Sequence, residues 1–504
     1  MTTFGALQPP FELTDPDLLK GASCYVNGQW VQALGEETFR VIDPGSGKAW
    51  ATCPDCSVED VGPAVQSSQT AFEVYSKFPP RKRAQLISAW HHLIVAARDD
   101  IAKILVHETG KPLAEAYGEL DYATTFTWWF IGEAERIHGS TSHLALPGRR
   151  SLVIKQPLGV AAALVPWNFP IALVLRKVSA AMAAGCAMVV KTSPETPLSA
   201  LCLANLATRA GFPPGTLNVL TTSLENTPAV AEALCLNPLV KKVTFTGSTR
   251  VGKIIASYCA KTLTKHTLEL GGNCPFIIFE DANLDQVIEQ LMALKWRHAG
   301  QACVTANRVY IHRNIHDTFM KRLVMETKKL SIGHGMQEGV TMGALTTSRS
   351  LDKAEALFKD AIDKGATVVM GSGQRENVNG SGYFMAPTIL SGMSDDMEMS
   401  QEEIFAPILG VYTFETEKDV VRRANDTPLG LASYVFSKNV DRLWRMFENL
   451  NAGMIGLNTG NNSAAEAPFG GIKDSGYGKE SGKDVAVNEF MITKTGTLTV
   501  EEHF

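Results

Sequence analysis

Apolar residues recur at helical spacing through residues 80–135, with 81–98 and 99–109 as the clearest helices. Residues 1–60 read as an irregular opening with short strands around 25–31. A polar stretch at 138–150 gives way at 151–156 to the alternation of a strand. From Gly159 the rhythm changes. Short apolar runs at 160–165, 187–191, 216–221, 242–246 and 266–270 predict strands. Between them, 171–184, 197–210, 228–236 and 248–260 predict helices, and Gly185 and Gly211 stand where two of these end. Strand–helix alternation with short turns predicts a parallel sheet covered on both faces, with ligands at the carboxyl ends of its strands. The pattern restarts after Gly271-Gly272: strands at 276–279 and 308–312, helices at 284–297 and 316–330, and alternation to about 457 predict a second α/β unit. A Gly/Asn/Ser-rich loop at 371–382 reads as hairpin-like. Near the end, Thr497-Leu498-Thr499-Val500 alternates as an exposed strand does, and wants a partner edge in 151–156 or in another subunit.

Composition narrows the class. At roughly 150 residues per domain, 504 residues predict about three units. With 45% apolar and 20% charged residues the chain is globular, which excludes disordered and collagen-like classes. No run of 18 apolar residues exists, so no membrane span is expected. A net charge of −5, dispersed along the chain, offers no basic surface and predicts no nucleic-acid partner. Residues 1–20 hold Glu12, Asp15 and Asp17 and no Arg, unlike a transit or signal peptide, so the expected compartment is the cytoplasm. Nine scattered cysteines predict no disulfide framework. Cys53-Pro54-Asp55-Cys56 is a lone C-x-x-C and reads as reduced thiols in a surface turn, and no ligand spacing predicts a metal.

Four places carry candidate chemistry. Gly247-Ser248-Thr249-Arg250-Val251-Gly252 opens a helix directly after a strand, where backbone N–H groups attract a phosphate or simply need a cap. Cys303, in Gly300-Gln301-Ala302-Cys303, is either a small buried apolar residue or a nucleophile. Glu269, ahead of Gly271-Gly272, is either a cap or a carboxylate held in a cleft. Asn168, in a Pro-bounded turn, either satisfies that turn or points a donor at a ligand.

Taken together these residues are recognisable. Pro166-Trp167-Asn168-Phe169-Pro170, Phe245-Thr246-Gly247-Ser248, Leu268-Glu269-Leu270-Gly271-Gly272, Gly300-Gln301-Ala302-Cys303, Glu403-Ile404-Phe405 and Pro468-Phe469-Gly470-Gly471 occur in this order. The chain resembles the aldehyde dehydrogenase superfamily from about residue 25 onward. The resemblance implies an α/β fold with a Rossmann-type cofactor domain (1–137 and 159–270), an α/β catalytic domain (271–470) and a small β oligomerisation flap (138–158 and 486–504). It also implies oxidation of an aldehyde to a carboxylic acid with NADP or NAD. Cys303 attacks the aldehyde carbon as a thiolate, and the Asn168 amide and the Cys303 N–H hold the oxyanion, one such donor being worth ~3–4 kcal/mol. Loss of hydride to the cofactor leaves a thioester, which Glu269 hydrolyses as general base, an effect of about 10²–10⁴-fold.

The cofactor contacts implied by the resemblance are Pro166, Trp167, Lys191, Ser193, Gly247, Ser248, Gly252, Leu270, Glu403 and Phe405. One departure bears on cofactor choice. Many NAD-preferring relatives have Glu three residues after the Lys, where this chain has Pro194. Without that carboxylate a 2′-phosphate is not repelled; Lys191 and Ser193 are then its expected partners, and the balance tips toward NADP. Glu195 stands one place along, within reach.

Arg176, Arg297 and Ser463 stand where succinate-semialdehyde dehydrogenases bind the distal carboxylate of their substrate, and the pattern is similar to theirs. Both arginines interrupt largely apolar helix faces in the sequence, and a buried Arg needs an anion. The resemblance thus implies oxidation of succinate semialdehyde to succinate, the chemistry of 4-aminobutyrate breakdown. The alternatives are glutarate semialdehyde, another ω-carboxy or general aliphatic aldehyde, and a non-catalytic protein of the same fold. His298 replaces a more usual Asn or Asp, with no sequence-level reason, and Thr305 leaves no second thiol beside Cys303. A homodimer or homotetramer is the expected assembly.

Overall fold

The computed structural model describes residues 9–21, 23–378 and 380–501. The first eight residues of the acid-bearing opening segment, Asn379 in the 371–382 loop and the last three residues of the terminal segment lie outside the described residues. Five strands, in chain order Val160–Leu164, Ala187–Lys191, Leu217–Leu220, Val240–Thr246 and Lys265–Glu269, run parallel in spatial order 3-2-1-4-5. Short antiparallel strands extend both edges, Cys24–Val26 and Gln29–Val31 at one and Gly476–Tyr477 at the other. The register aligns Leu164 with Lys191 and Thr246 with Glu269, so the carboxyl ends share one rim.

Alternation within each strand explains why the sheet is buried on both faces. Ala161, Ala163, Met188 and Val190 join the apolar cluster under helices Pro170–Ala184 and Pro197–Arg209. Val160, Ala162, Leu164 and Val189 join the cluster on the other face, shared with helices Val58–Tyr75, Thr227–Leu236 and Thr249–Thr262. Helix Pro170–Ala184 is buried along its whole length, because helices Pro80–Ala96 and Leu113–Glu133 cover its outer side. An apolar helix with no wet face is the expected outcome of that position.

Residues 270–273 lead straight into a second sheet, ordered Thr367–Met370, Thr388–Ser391, Ile408–Phe414, Ala306–His312, Cys274–Ile278, Ala432–Phe436, Met454–Leu457, and parallel apart from its first pair. Met491–Thr499 pairs antiparallel with Arg149–Pro157 along its full length, within the same chain, and Ser140–His143 completes a three-stranded sheet. The 371–382 loop holds Arg375–Glu376, which pairs with Phe384–Met385 as a short hairpin.

Two elements differ from the sequence pattern. Helix Val58–Tyr75 is not legible in it, because Gly62, Pro63 and the polar run 66–70 obscure the apolar stripe. Cys53 and Cys56 do not sit in a surface turn: both are fully buried, Cys53 on strand Lys48–Pro54 and Cys56 anchored by its N–H to the Thr221 carbonyl. All nine cysteines are free, and no helix among the described residues is long and apolar enough to cross a membrane.

Candidate active site

The carboxyl rim of the first sheet faces the segment that enters strand Ala306–His312, and a cavity of about 670 Å3 lies between them. Pro166, Trp167 and Asn168 line it after the first parallel strand, Gly247 and Ser248 after the fourth, and Leu270 after the fifth. Arg297 and Cys303 line it from the second sheet's side, with Glu403 and Phe405 along one wall and Ser463 at the far end beside Arg176. Four expected residues do not reach the surface of this cavity: Glu269, Lys191, Ser193 and Gly252. Gly252 serves packing instead, since a Cβ there would come within 2.3 Å of the Leu270 side chain.

Cys303 is half-buried and follows an unusual turn. Helix Leu284–Lys295 stops, and His298, Ala299 and Gly300 then take left-handed φ values of 49°, 51° and 76°. Gly300 passes so close to the Ala406 carbonyl that a Cβ would lie 2.4 Å from that oxygen. His298 donates its backbone N–H to Glu115 Oε2 at 2.8 Å, and Gln301 fixes the turn by donating from Nε2 to the His298 carbonyl at 3.0 Å and accepting Thr346 N–H at 2.9 Å. Tyr434 Oη holds the Val304 carbonyl at 2.8 Å. Arg297 therefore stands on the turn beyond the helix, not on an apolar helix face. It is exposed toward the cavity, lies 5.3 Å over the Phe169 ring and forms no ion pair among the described residues.

Asn168 is 5% exposed. Its Nδ2 donates to the Gln301 carbonyl at 3.1 Å, which leaves one amide N–H uncommitted, and its Oδ1 has no partner. The turn is clamped from beneath. Glu119 Oε1 accepts the first N–H groups of helix Pro170–Ala184, Ile171 at 2.9 Å and Ala172 at 3.2 Å. Its other oxygen pairs with the Lys111 ammonium, which also donates to the Asn168 carbonyl at 3.0 Å. The side chains of this ion pair are 1% and 0% exposed.

Arg176 is 3% exposed. Nη2 donates to Tyr122 Oη at 2.7 Å, Nε and Nη1 have no hydrogen-bond partner, and the guanidinium carbon lies 3.9 Å from the Phe469 ring centre. Tyr122 Oη also bonds Ser463 Oγ, so one phenol joins two of the residues expected to meet a carboxylate. Behind them, Glu269 is 2% exposed with neither oxygen bonded, and Oε1 lies 2.7 Å from where a Cβ on Gly470 would be. Burial, then the neighbouring Glu480 charge, push the Glu269 carboxyl well above its usual range, against the pull of Lys177 and Arg176. Glu480 accepts from Lys177 Nζ and, at 2.8 Å, from Thr244 Oγ1. Burial also pushes the Cys303 thiol up to about 12; Glu403 adds to this and Arg176 opposes it.

The cofactor side fits a dinucleotide. Helix Thr249–Thr262 starts at the cavity with Ser248 as its cap, the bond from Val251 N–H to Ser248 Oγ being a long 3.4 Å. Such a helix start suits a pyrophosphate. Glu403 Oε1 accepts Gly272 N–H at 3.1 Å, and Oε2 has no hydrogen-bond donor among the described residues, an arrangement that suits ribose hydroxyls. Trp167 and Phe405 meet edge to face at 5.5 Å beside it. Lys191 Nζ donates to Thr227 Oγ1 at 2.7 Å, and Ser193 gives its only hydroxyl proton to Glu195. Ser193 is thus not a free phosphate donor, contrary to the expectation from sequence.

Sequence reasoning missed Lys111, Glu115, Glu119, Tyr122, Lys177 and Glu480. Glu115, Glu119, Tyr122 and Lys177 are polar residues within helices and Lys111 and Glu480 lie outside any helix, so local pattern gives no sign of the contacts they make. It also missed a group of possible metal ligands, Asp43, His107 and His334, whose ligand atoms lie within 4.8 Å of one another. None of the three lines the cavity. His334 already gives Nε2 to Asp43 at 3.0 Å and takes Met336 N–H at Nδ1 at 3.2 Å, so the group closes as hydrogen bonds between distant segments.

A family model described as aldehyde dehydrogenase family matches residues 30–496. The chain is 45% identical over 486 residues to succinate-semialdehyde dehydrogenase [NADP(+)] of Saccharomyces cerevisiae, covering 96% of this chain and 97% of that protein. It is 43% identical to the mitochondrial succinate-semialdehyde dehydrogenase of Homo sapiens, covering 93% and 87%. The crystal structure of succinate-semialdehyde dehydrogenase from Burkholderia pseudomallei superposes with a TM-score of 0.94 at 41% identity, over 97% of this chain and 100% of that one.

The clamp beneath Asn168 is testable. Lys111→Met leaves Glu119 an unpaired buried carboxylate, and breaking such a pair costs ~3–5 kcal/mol. The urea midpoint should fall accordingly, and adding Glu119→Gln should restore part of it. An unchanged midpoint in the single variant would show that the pair does not hold this turn.

Proposed function

The chain belongs to the aldehyde dehydrogenase family and is an NAD(P)-dependent aldehyde dehydrogenase, and from that premise we propose that it oxidises succinate semialdehyde to succinate through a thioester on Cys303. One observation carries the choice of substrate. Arg176, Arg297 and Ser463 share a cavity with Cys303, and Arg176 keeps two nitrogens without a hydrogen bond although nearly all of it is buried, Glu480 approaching Nη1 only to 4.0 Å. A buried cation so placed calls for an anionic ligand, and a carboxylate accepts from guanidinium groups in parallel. The names of the yeast, human and Burkholderia relatives support the same substrate.

The residues divide the work as follows. Cys303 forms the bond to the aldehyde carbon. The free N–H of Asn168 and the Cys303 backbone N–H meet the oxyanion that results, and the buried Lys111–Glu119 pair keeps that amide in place. NAD or NADP, when bound, would supply the hydride acceptor. Glu269 lies withdrawn against Gly470 with its carboxyl pushed well above its usual range by burial, so it must turn toward the cavity and be deprotonated before it activates water. A raised pKa makes it the stronger base once deprotonated. The open outer edge of Met491–Thr499 and the exposed Leu152, Ile154 and Leu498 support assembly with further copies of the chain, as a dimer or tetramer.

Three outcomes check this reading. Cys303→Ala should abolish NAD(P)H formation, and retained steady-state oxidation would remove the nucleophile. Arg297→Ala should raise KM for succinate semialdehyde roughly 10–100-fold, the loss of a charged hydrogen bond, while an uncharged aldehyde of similar length changes little. Equal effects on the two would remove the carboxylate receptor. Finally, Cys303 and Glu269 both act deprotonated, and burial pushes the pKa of both up. The active fraction therefore grows with pH, and kcat/KM should climb from about pH 7 to about pH 9; a flat profile would contradict it.

A further inference from the structure

Cofactor choice in a sheet of order 3-2-1-4-5 is decided at the end of the second strand. An acidic side chain there accepts from the ribose 2′-hydroxyl of NAD, and a nearby Arg accommodates the 2′-phosphate of NADP. Here the second strand ends at Lys191, and Glu195 is the one carboxylate in the loop that follows. Both oxygens of Glu195 are occupied. Oε2 takes the Ser193 hydroxyl proton, and Oε1 takes Arg349 Nη2 at 2.8 Å. Arg349 comes from a distant place, the first turn of helix Ser348–Asp363 beside the second sheet. It lines the cavity, its side chain is 55% exposed, and Glu195 is its only hydrogen-bond partner among the described residues. Its remaining N–H groups are therefore uncommitted.

We propose that Arg349 reaches across the cleft to bind the 2′-phosphate of NADP while holding Glu195 away from the ribose. This rests on the NAD(P) reading given above. The donor inventory supports it. Ser193 has spent its only proton on Glu195, so Lys191 and Arg349 are the donors left at this end. The three charged groups sum to one positive charge with Arg349 and to zero without it. A guanidinium matches a phosphate in a way that a lone ammonium does not. The residue is invisible to local reading, because 154 positions separate it from Glu195.

Calorimetric titration of the full chain tests the proposal without turnover. Adenosine 2′,5′-bisphosphate carries the 2′-phosphate and 5′-AMP lacks it. Arg349→Gln is expected to weaken the bisphosphate roughly tenfold or more, and AMP by less than about threefold. Arg349→Lys should keep part of the bisphosphate affinity, and the loss should persist when Glu195→Gln is added. Equal weakening of both nucleotides overturns the proposal, and so does full recovery in the Arg349→Gln/Glu195→Gln variant. If the unaltered chain binds both nucleotides and Arg349→Gln changes neither, only this assignment fails. If the unaltered chain binds neither, the cofactor reading fails with it.

Discussion

A guanidinium buried with two of its nitrogens unpaired is the constraint on which the cavity depends. Arg176 sits on a helix with no wet face, and the nearest carboxylate oxygen in the chain, on Glu480, is 4.0 Å away. Removing such a charge from water costs several kcal/mol. Tyr122 Oη and the faces of Phe469 and Phe126 offset part of that. What remains is a standing demand for an anion on the cavity side. The same charge pulls the Cys303 thiol downward against its burial, so in the proposed function one side chain would serve both recognition and the nucleophile.

Behind Arg176, two buried carboxyls lie close together and differ in what they touch. Glu480 has the Lys177 ammonium and the Thr244 hydroxyl. Glu269 has no bond to either oxygen, and burial pushes its carboxyl well above its usual range. Glu269 ends the strand Lys265–Glu269, and Gly470 supplies the space into which its carboxyl withdraws. Helix, strand and distant loop must all be correct before that acid can work.

How much of this was legible in the chain follows from the range of the interactions. The alternation from Gly159 to Glu269 reads directly, because each strand is a short apolar run and glycines punctuate the helices. Asn168, Cys303, Glu403 and Ser463 stand in or near local motifs and do reach the cavity. What failed was decided by contacts between distant segments. The rotation of the Glu269 carboxyl depends on Gly470, the hold on Glu195 beside Ser193 on Arg349, and the burial of Cys53 and Cys56 on packing against other elements. Arg297 continues a helical period in sequence, yet the helix ends at Lys295 because the next turn is left-handed. The Lys111–Glu119 clamp leaves no mark beyond two charged residues near apolar ones.

That left-handed turn also bears on which aldehydes the site accepts. His298 and Ala299 are not glycines, and each costs of order 1–3 kcal/mol in such a conformation. They persist because the surroundings fix them. Glu115 holds the His298 N–H, Gln301 ties back to the His298 carbonyl, and Gly300 lies against Ala406. The turn links Arg297 to Cys303 directly, so its rigidity sets the distance between the carboxylate receptor and the sulfur. A looser connection would let the receptor follow a longer or shorter substrate. A fixed one turns each added methylene into a misplacement of the carbonyl carbon, and a pocket that discriminates by one methylene achieves only about 10–200-fold. In the proposed function, the strain stored at His298 and Ala299 thus has a use, since it would keep both ends of a four-carbon substrate in register.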